Sequence, residues 1–260
     1  MPKDPYALPG SLYDFAFIPR FDERINQLKD LAEPEDWNYQ NTESDQQNPV
    51  LRNYLNYTYK RIAEEKKVSI SSDEEHACWN TGLITKNQEP IYILFERNKL
   101  EDQNCYWHIN GFFRKGEWQL NKFASLPEMA HYFEDPAHLV YDCRLELRTN
   151  VEHIVEDNKD RFPVALKNMQ SFALQNIIKG SIESAVERVK RNYKTAIPQY
   201  YNGTIQLLLP LSLTDPSKAD LALVVERFDT FYRASTCLTL DMAYNNARQL
   251  AKPDRDWLQP

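Results

Sequence analysis

The chain has 260 residues, with 31 Lys and Arg against 38 Asp and Glu, so its formal net charge is −7. It carries only 6 glycines, about a third of an average complement. None falls in a window that spells G-x-G-x-x-G or G-x-x-x-x-G-K, which excludes a P-loop and a dinucleotide-binding glycine loop. No apolar run reaches about 18 residues, so no membrane-spanning helix is expected.

In chain order, residues 1–20 are rich in proline and aromatics, and Leu12 to Phe17 forms a segment expected to dock on a core. Residues 21–32 read as a short helix with Ile25, Leu28, Leu31 and Ala32 on one stripe. A polar loop is expected over 33–49. The next helix, 50–66, carries Leu51, Tyr54, Leu55, Thr58, Tyr59 and Ile62 at helical spacing behind a Pro49 start signal. The period then changes to that of strands, over Ala77 to Leu83, Ile91 to Glu96 and Cys105 to Phe113. The run Ile91 to Phe95 is apolar on both faces and belongs in the middle of a sheet. Ser125-Leu126-Pro127-Glu128 carries the capping pattern of a short helix.

A strand over Leu145 to Arg148 precedes the segment Asn150 to Phe162, and residues 163–192 form the longest helical pattern, with Gly180 as a candidate interruption. Ile205, Leu207, Leu209, Leu211 and Leu213 alternate in a strand; a polar turn spans 214–219. Leu221 to Val225 and Ser235 to Leu240 are further strands, and a last helix runs from Asp241 to Lys252. No linker or repeat divides the chain. The expectation is therefore one α+β domain over 1–260, built on a mostly antiparallel or mixed sheet of about six strands with helices packed on it.

The four cysteines, Cys78, Cys105, Cys143 and Cys237, form no C-x-x-C, and the N-terminus shows no apolar h-region. Both features suit reduced, buried thiols in a cytoplasmic protein. No H-E-x-x-H and no H-x-E with P-C-x-x-C occurs, so no metal site is expected, although scattered carboxylates can hold Mg²⁺ without a motif. The sequence indicates no particular cofactor.

Several polar clusters carry chemistry. Arg188, Arg191 and Lys194 fall near one stripe at the end of the long helix, where they suit a phosphodiester or complement the helix dipole. The last helix sets Asp241, Tyr244, Asn245 and Arg248 opposite its alanine stripe, with Asn246 adjacent. These donors and flat surfaces fit a base, a phosphate or a sugar, and a solvated face is the plainer reading. Between the two, Tyr193, Tyr200 and Tyr201 interleave with Lys194, Gln199 and Asn202, as in a stacking platform for single strands or a rigid tyrosine turn. Asn80-Thr81-Gly82 interrupts a strand, which suggests a bulge or a ligand's close approach. His153, among carboxylates, is the candidate general base, and a structural ion-pair network explains that segment equally well.

Three groups of strings resemble a known family. They are Trp79 to Leu83 with Glu89 to Glu96, Val151 to Asn158 with Arg161 to Pro163, and above all Asn192 to Lys194, Gln199 to Tyr201, Gln206 to Leu211 and Leu238 to Arg248. Together they resemble the bacterial family called domain of unknown function 3825, over roughly Leu12 to Leu258. The resemblance implies a place in RNA metabolism, because members stand beside or fused to cold-shock and other small RNA-binding domains. This chain has no room for such a module, and the family supplies no catalytic residues.

The leading expectation is an RNA- or nucleotide-binding protein, with phosphoester processing as an extension. Asn80, the Tyr193 to Tyr201 segment and the Tyr244 to Arg248 face would converge in one cleft. Tyr200 and Tyr244 would stack; Lys194, Arg191 and Arg248 would hold phosphate. Asn245, Asn246, Gln199 and Gln206 would read polar edges, and His153 would act as base. The other readings are a protein-interaction module with a tyrosine-rich surface, and an enzyme on a small polar substrate such as a sugar nucleotide. No membrane partner is expected.

Overall fold

The computed structural model describes residues 4–100 and 104–253. The first three residues of the expected docking segment, and 101–103 between the expected second and third strands, lie outside them. The chain divides into two compact units: Met1–Tyr39 with Ser44–His131, and Gln40–Glu43 with Tyr132–Pro260. The fold is α+β, as expected. In place of one sheet of about six strands there are two mixed sheets of five.

In the first unit, helices α1 (Leu12–Phe15), α2 (Phe21–Leu31) and α3 (Pro49–Glu64) accompany strands β1 (Ala16–Phe17), β2 (Ser69–Ile70), β3 (His76–Ile84), β4 (Pro90–Arg97) and β5 (Trp107–Arg114). Strand order is β1-β5-β4-β3-β2, antiparallel except for the parallel β1–β5 pair. α3 begins where Asn48 takes a left-handed turn (φ 50°) and Pro49 fills the first turn, a position with no donor to lose. Its Tyr54, Leu55, Thr58, Tyr59 and Ile62 are buried, and α3 packs on β3. Ile91 to Phe95 is buried on both faces, as its pattern required. Leu12, Phe15 and Ala16 are buried too, Phe15 meeting Phe95 edge-on at 5.2 Å.

The second unit holds β6 (Glu146–Thr149), α4 (Val151–Asp157), α5 (Val164–Lys167), α6 (Ser171–Arg191), β7 (Ile197–Tyr201), β8 (Thr204–Leu211), β9 (Leu221–Arg227), β10 (Phe231–Leu238) and α7 (Leu240–Leu250). Strand order is β6-β10-β9-β8-β7, with β6 parallel to β10 and the rest antiparallel. Leu207, Leu209, Leu223, Val225, Tyr232 and Ala234 point to one face and form a core with Ile154, Ile178, Ile182 and Val189 of α4 and α6.

Three elements depart from expectation. No helix follows Ser125, because side chains take the local backbone groups a helix would use. Glu65 accepts from His131 N–H (3.1 Å), while Arg61 and Lys67 donate to the carbonyls of His131 (2.8 Å) and Met129 (3.0 Å). The 163–192 pattern breaks between α5 and α6, near Asn168, while α6 runs unbroken through Gly180. The junction after α6 contains a strand, β7, which Pro198 can join because β7 is a sheet edge. The thiols also divide. Cys78 and Cys237 are buried, whereas Cys105 is half-buried and Cys143 is exposed, contrary to the expectation of four buried thiols.

Candidate functional site

Asn80 lies in the first unit, at a β3 bulge. Its carboxamide oxygen accepts from Gly82 N–H (2.9 Å), and Thr81 Oγ1 donates to Ile91 O (2.7 Å). Gly82 takes φ +73°, and a Cβ there would lie 2.6 Å from Tyr54 Oη, which itself donates to Thr81 O (2.9 Å). Burial raises the Tyr92 hydroxyl's pKa, with the neighbouring Cys78 adding to the rise and the Asn80 hydrogen bond opposing it. The motif is thus engaged in shaping its own strand.

The remaining candidates lie in the second unit, where pleating sorts them by face, since residues in register point the same way. Gln199 pairs with Gln206, Gln206 with Glu226, Glu226 with Arg233, and Arg233 with Arg148. These five residues form one polar row across all five strands, on the face opposite the α4–α6 core. Gln199 is buried, and its Nε2 donates to Gln206 Oε1 (2.9 Å) while its Oε1 accepts from Asn246 Nδ2 of α7 (3.2 Å). The three amides therefore hold each other in place. At the other end of the row, Arg233 is exposed and has no hydrogen-bond or ion-pair partner among the described residues.

Beside this row runs an aromatic one. Tyr201 shares the Gln199 face and is 51% exposed. Phe231 shares the Arg233 face, and the Arg148 guanidinium sits 4.1 Å over its ring while Glu146 accepts from Arg148 Nε (2.8 Å). Phe228 stacks parallel on Phe231 at 5.0 Å and 7°. Of these residues, Gln199, Gln206 and Tyr201 are expected from the sequence as ligand contacts. Arg233, Phe231, Phe228 and Glu226 are not, because the expected strands end at Val225 and resume only at Ser235, whereas β9 runs to Arg227 and β10 begins at Phe231. The period-2 pair Phe231 and Arg233 just after the turn was the available signal.

The structure places the other candidates differently. Tyr200 is in register with Ile205 and shares the Leu207 face, where it meets Tyr132 edge-on at 4.9 Å and 65°. It is therefore separated from Gln199 by the sheet itself. On α7 the face carrying Asp241, Tyr244, Asn245 and Arg248 is buried, with Arg248 8% exposed, so it is no solvated donor surface. Asp241 accepts from Gln40 N–H (3.0 Å), Asn41 N–H (3.0 Å) and Thr42 Oγ1 (2.9 Å). Lys194 is exposed in the short turn directly before β7. Arg191 is exposed on α6, 4.0 Å from Glu187, and Arg188 donates to Pro216 O.

His153 lies on α4, with Nδ1 3.2 Å from Asp157 Oδ2, the carboxylate neighbour a general base would need. α4 packs with α6 on the core face, so His153 and the polar row stand on opposite sides of the sheet. No group of three or more His, Cys, Asp or Glu that could hold a metal ion occurs among the described residues. No helix among them is long and apolar enough to cross a membrane.

A family model described as Domain of unknown function (DUF3825) matches residues 28–257, nearly the whole chain, and the chain belongs to that family. Neither the curated proteins nor the solved structures contain a match.

Proposed function

We propose that this member of the DUF3825 family binds RNA as a single strand, laid across the open half of the second unit's sheet. The observation that carries the reading is the pair of parallel rows: Arg148, Arg233, Glu226, Gln206 and Gln199 beside Phe231, Phe228 and Tyr201. Bases stack on the aromatic row. Stacking tolerates any base and contributes about 1–3 kcal/mol per base. The half-buried Gln206 presents its amide to base edges, in an orientation fixed by the buried Gln199, which Asn246 holds in turn. Arg233 and Lys194 meet phosphates, and Arg148 already sits over the Phe231 ring. The net charge of −7 keeps the affinity dependent on this local patch. His153 stands on the far face, so the reading is one of binding.

The test is fluorescence anisotropy of a labelled single-stranded RNA with the full chain. Two phosphate contacts at about −0.7 per contact give a slope near −1.4, or about a sevenfold loss of affinity between about 50 and 200 mM salt. Phe231→Ala should weaken binding about tenfold. Arg233→Ala should weaken it and flatten the salt slope. Absence of binding at low salt by the folded protein, or binding indifferent to both changes, refutes the reading.

A further inference from the structure

Glu226 is the acid among the five residues of the polar row, and it stands at the centre. Register sets it beside Gln206 on one side and Arg233 on the other, and directly opposite side chains start about 4.5–5.5 Å apart. No ion pair joins Glu226 to Arg233, and the carboxylate has no hydrogen-bond partner among the described residues. Glu226 is half-buried, yet neither of its oxygens is sealed from solvent. A carboxylate repels phosphate, so on a surface that holds a strand its use is to accept from base donors.

The neighbouring amide is oriented. Gln206 Oε1 accepts from Gln199 Nε2 (2.9 Å), and Gln199 Oε1 accepts from Asn246 Nδ2 (3.2 Å). This engages the acceptor end of Gln206 and leaves its Nε2, which is also open to solvent, as the donor available to a ligand. Gln206 and Glu226 together therefore present one donor beside two acceptors. Phe228, two positions beyond Glu226 and 39% exposed, supplies a ring face on which a base can stack.

Resting on the sheet-face reading above, we propose that this donor–acceptor–acceptor edge selects guanine in the bound strand. The pairing edge of guanine carries O6, N1–H and the 2-amino group in a line, one acceptor followed by two donors. Gln206 Nε2 donates to O6, and the two Glu226 oxygens accept from N1–H and the 2-amino group. Guanine alone supplies all three partners. Uracil flanks its single N–H with acceptors, so a carbonyl oxygen meets the carboxylate. Cytosine brings its ring nitrogen lone pair against an acceptor. Adenine supplies one amino donor and leaves the second oxygen unpaired, and a site built to accept a hydrogen bond rejects a ligand that cannot donate it.

The experiment is fluorescence anisotropy of the full chain with labelled uridine oligomers that differ only at one central position: guanosine, inosine, adenosine or uridine. The guanosine oligomer should bind about tenfold tighter than the all-uridine one, the discrimination of one bidentate contact. Inosine, which lacks only the 2-amino group, should fall back to within about threefold of uridine. Glu226→Gln keeps the side chain's shape and breaks no contact of the unliganded fold. It should cut the guanosine preference to about twofold or less, while binding the all-uridine oligomer at least as tightly as the native chain, because a negative charge has left the path of the strand. A merely structural role would weaken all four oligomers alike. Equal binding of the four, preference for another base, inosine matching guanosine, or a guanosine preference that survives Glu226→Gln overturns this inference. In each of those cases weakening by Phe231→Ala leaves the sheet-face reading standing. No binding of any oligomer by the folded chain overturns both.

Discussion

Gly82→Ala puts a methyl group where the structure has the least tolerance for one. The φ of +73° costs an L-residue roughly 1–2 kcal/mol. The new Cβ would also lie 2.6 Å from Tyr54 Oη, so the tyrosine must move and release Thr81 O, for about another 1–2 kcal/mol with both groups buried. Together the loss is about 3 kcal/mol. Tyr54→Phe alone removes the hydroxyl and orphans the same carbonyl, for about 1 kcal/mol. In the double variant the methyl group no longer meets an oxygen, so the two effects overlap, and the pair should fall about 1 kcal/mol short of the sum. Urea unfolding of the full chain followed by tryptophan fluorescence is the assay, because the buried Trp37, Trp79 and Trp107 all belong to the first unit. Strict additivity, or a loss below about 1 kcal/mol for Gly82→Ala, would show that neither the left-handed backbone nor the tyrosine contact governs the bulge.

Asp241→Ala removes the acceptor of three hydrogen bonds and should cost about 2–4 kcal/mol; hydrogen exchange at the Gln40 and Asn41 amides should accelerate, and unchanged protection of both would contradict the assignment. Gln199→Ala unties Gln206 and Asn246 at once. It should cost about 1–2 kcal/mol in thermal unfolding, whereas Gln206→Ala, at the half-buried end, should cost less. Burial pushes the Cys78 and Cys237 thiols up to about 12 from 9.0. The folded chain therefore keeps protons that the unfolded chain sheds above pH 9. Stability from these thiols is complete below pH 9 and declines towards pH 12, by on the order of 1 kcal/mol per thiol per pH unit. A urea midpoint that does not fall between pH 8 and 10 would refute it. Mass spectrometry after alkylation at pH 8 should find Cys143 modified first.

Periodicity made α2, α3, β3, β4 and β8 legible, because each buries one stripe or one run and needs no partner's identity to be recognised. The division into two sheets was not legible, since strand patterns do not say which strands pair. The two-residue strands β1 and β2, and β7 with a proline at its second position, are missing from the expected count. The Gln199–Gln206 pair was legible as amides but not as a row. Its other members stand on strands far apart in sequence, and only the register joins Gln206 to Glu226 and Arg233 to Arg148. The donors of α7 misled for the opposite reason. Polar side chains predict water, yet Asp241 is buried with its acceptors satisfied by residues some two hundred positions away.

The parallel pairing of β6 with β10 has a consequence for the order in which the second unit assembles during synthesis. β7 to β10 form a meander that can close hairpin by hairpin as it emerges, but Glu146 must wait for Phe231, and Arg148 for Arg233. Closing so long a loop is slow relative to hairpin formation. Until then the ribosome holds a strand with both edges open, alongside α4 and α6 with half their core unsupplied. Availability of β10 is thus what lets β6 pair, and any delay before it prolongs the interval in which β6 is exposed to aggregation.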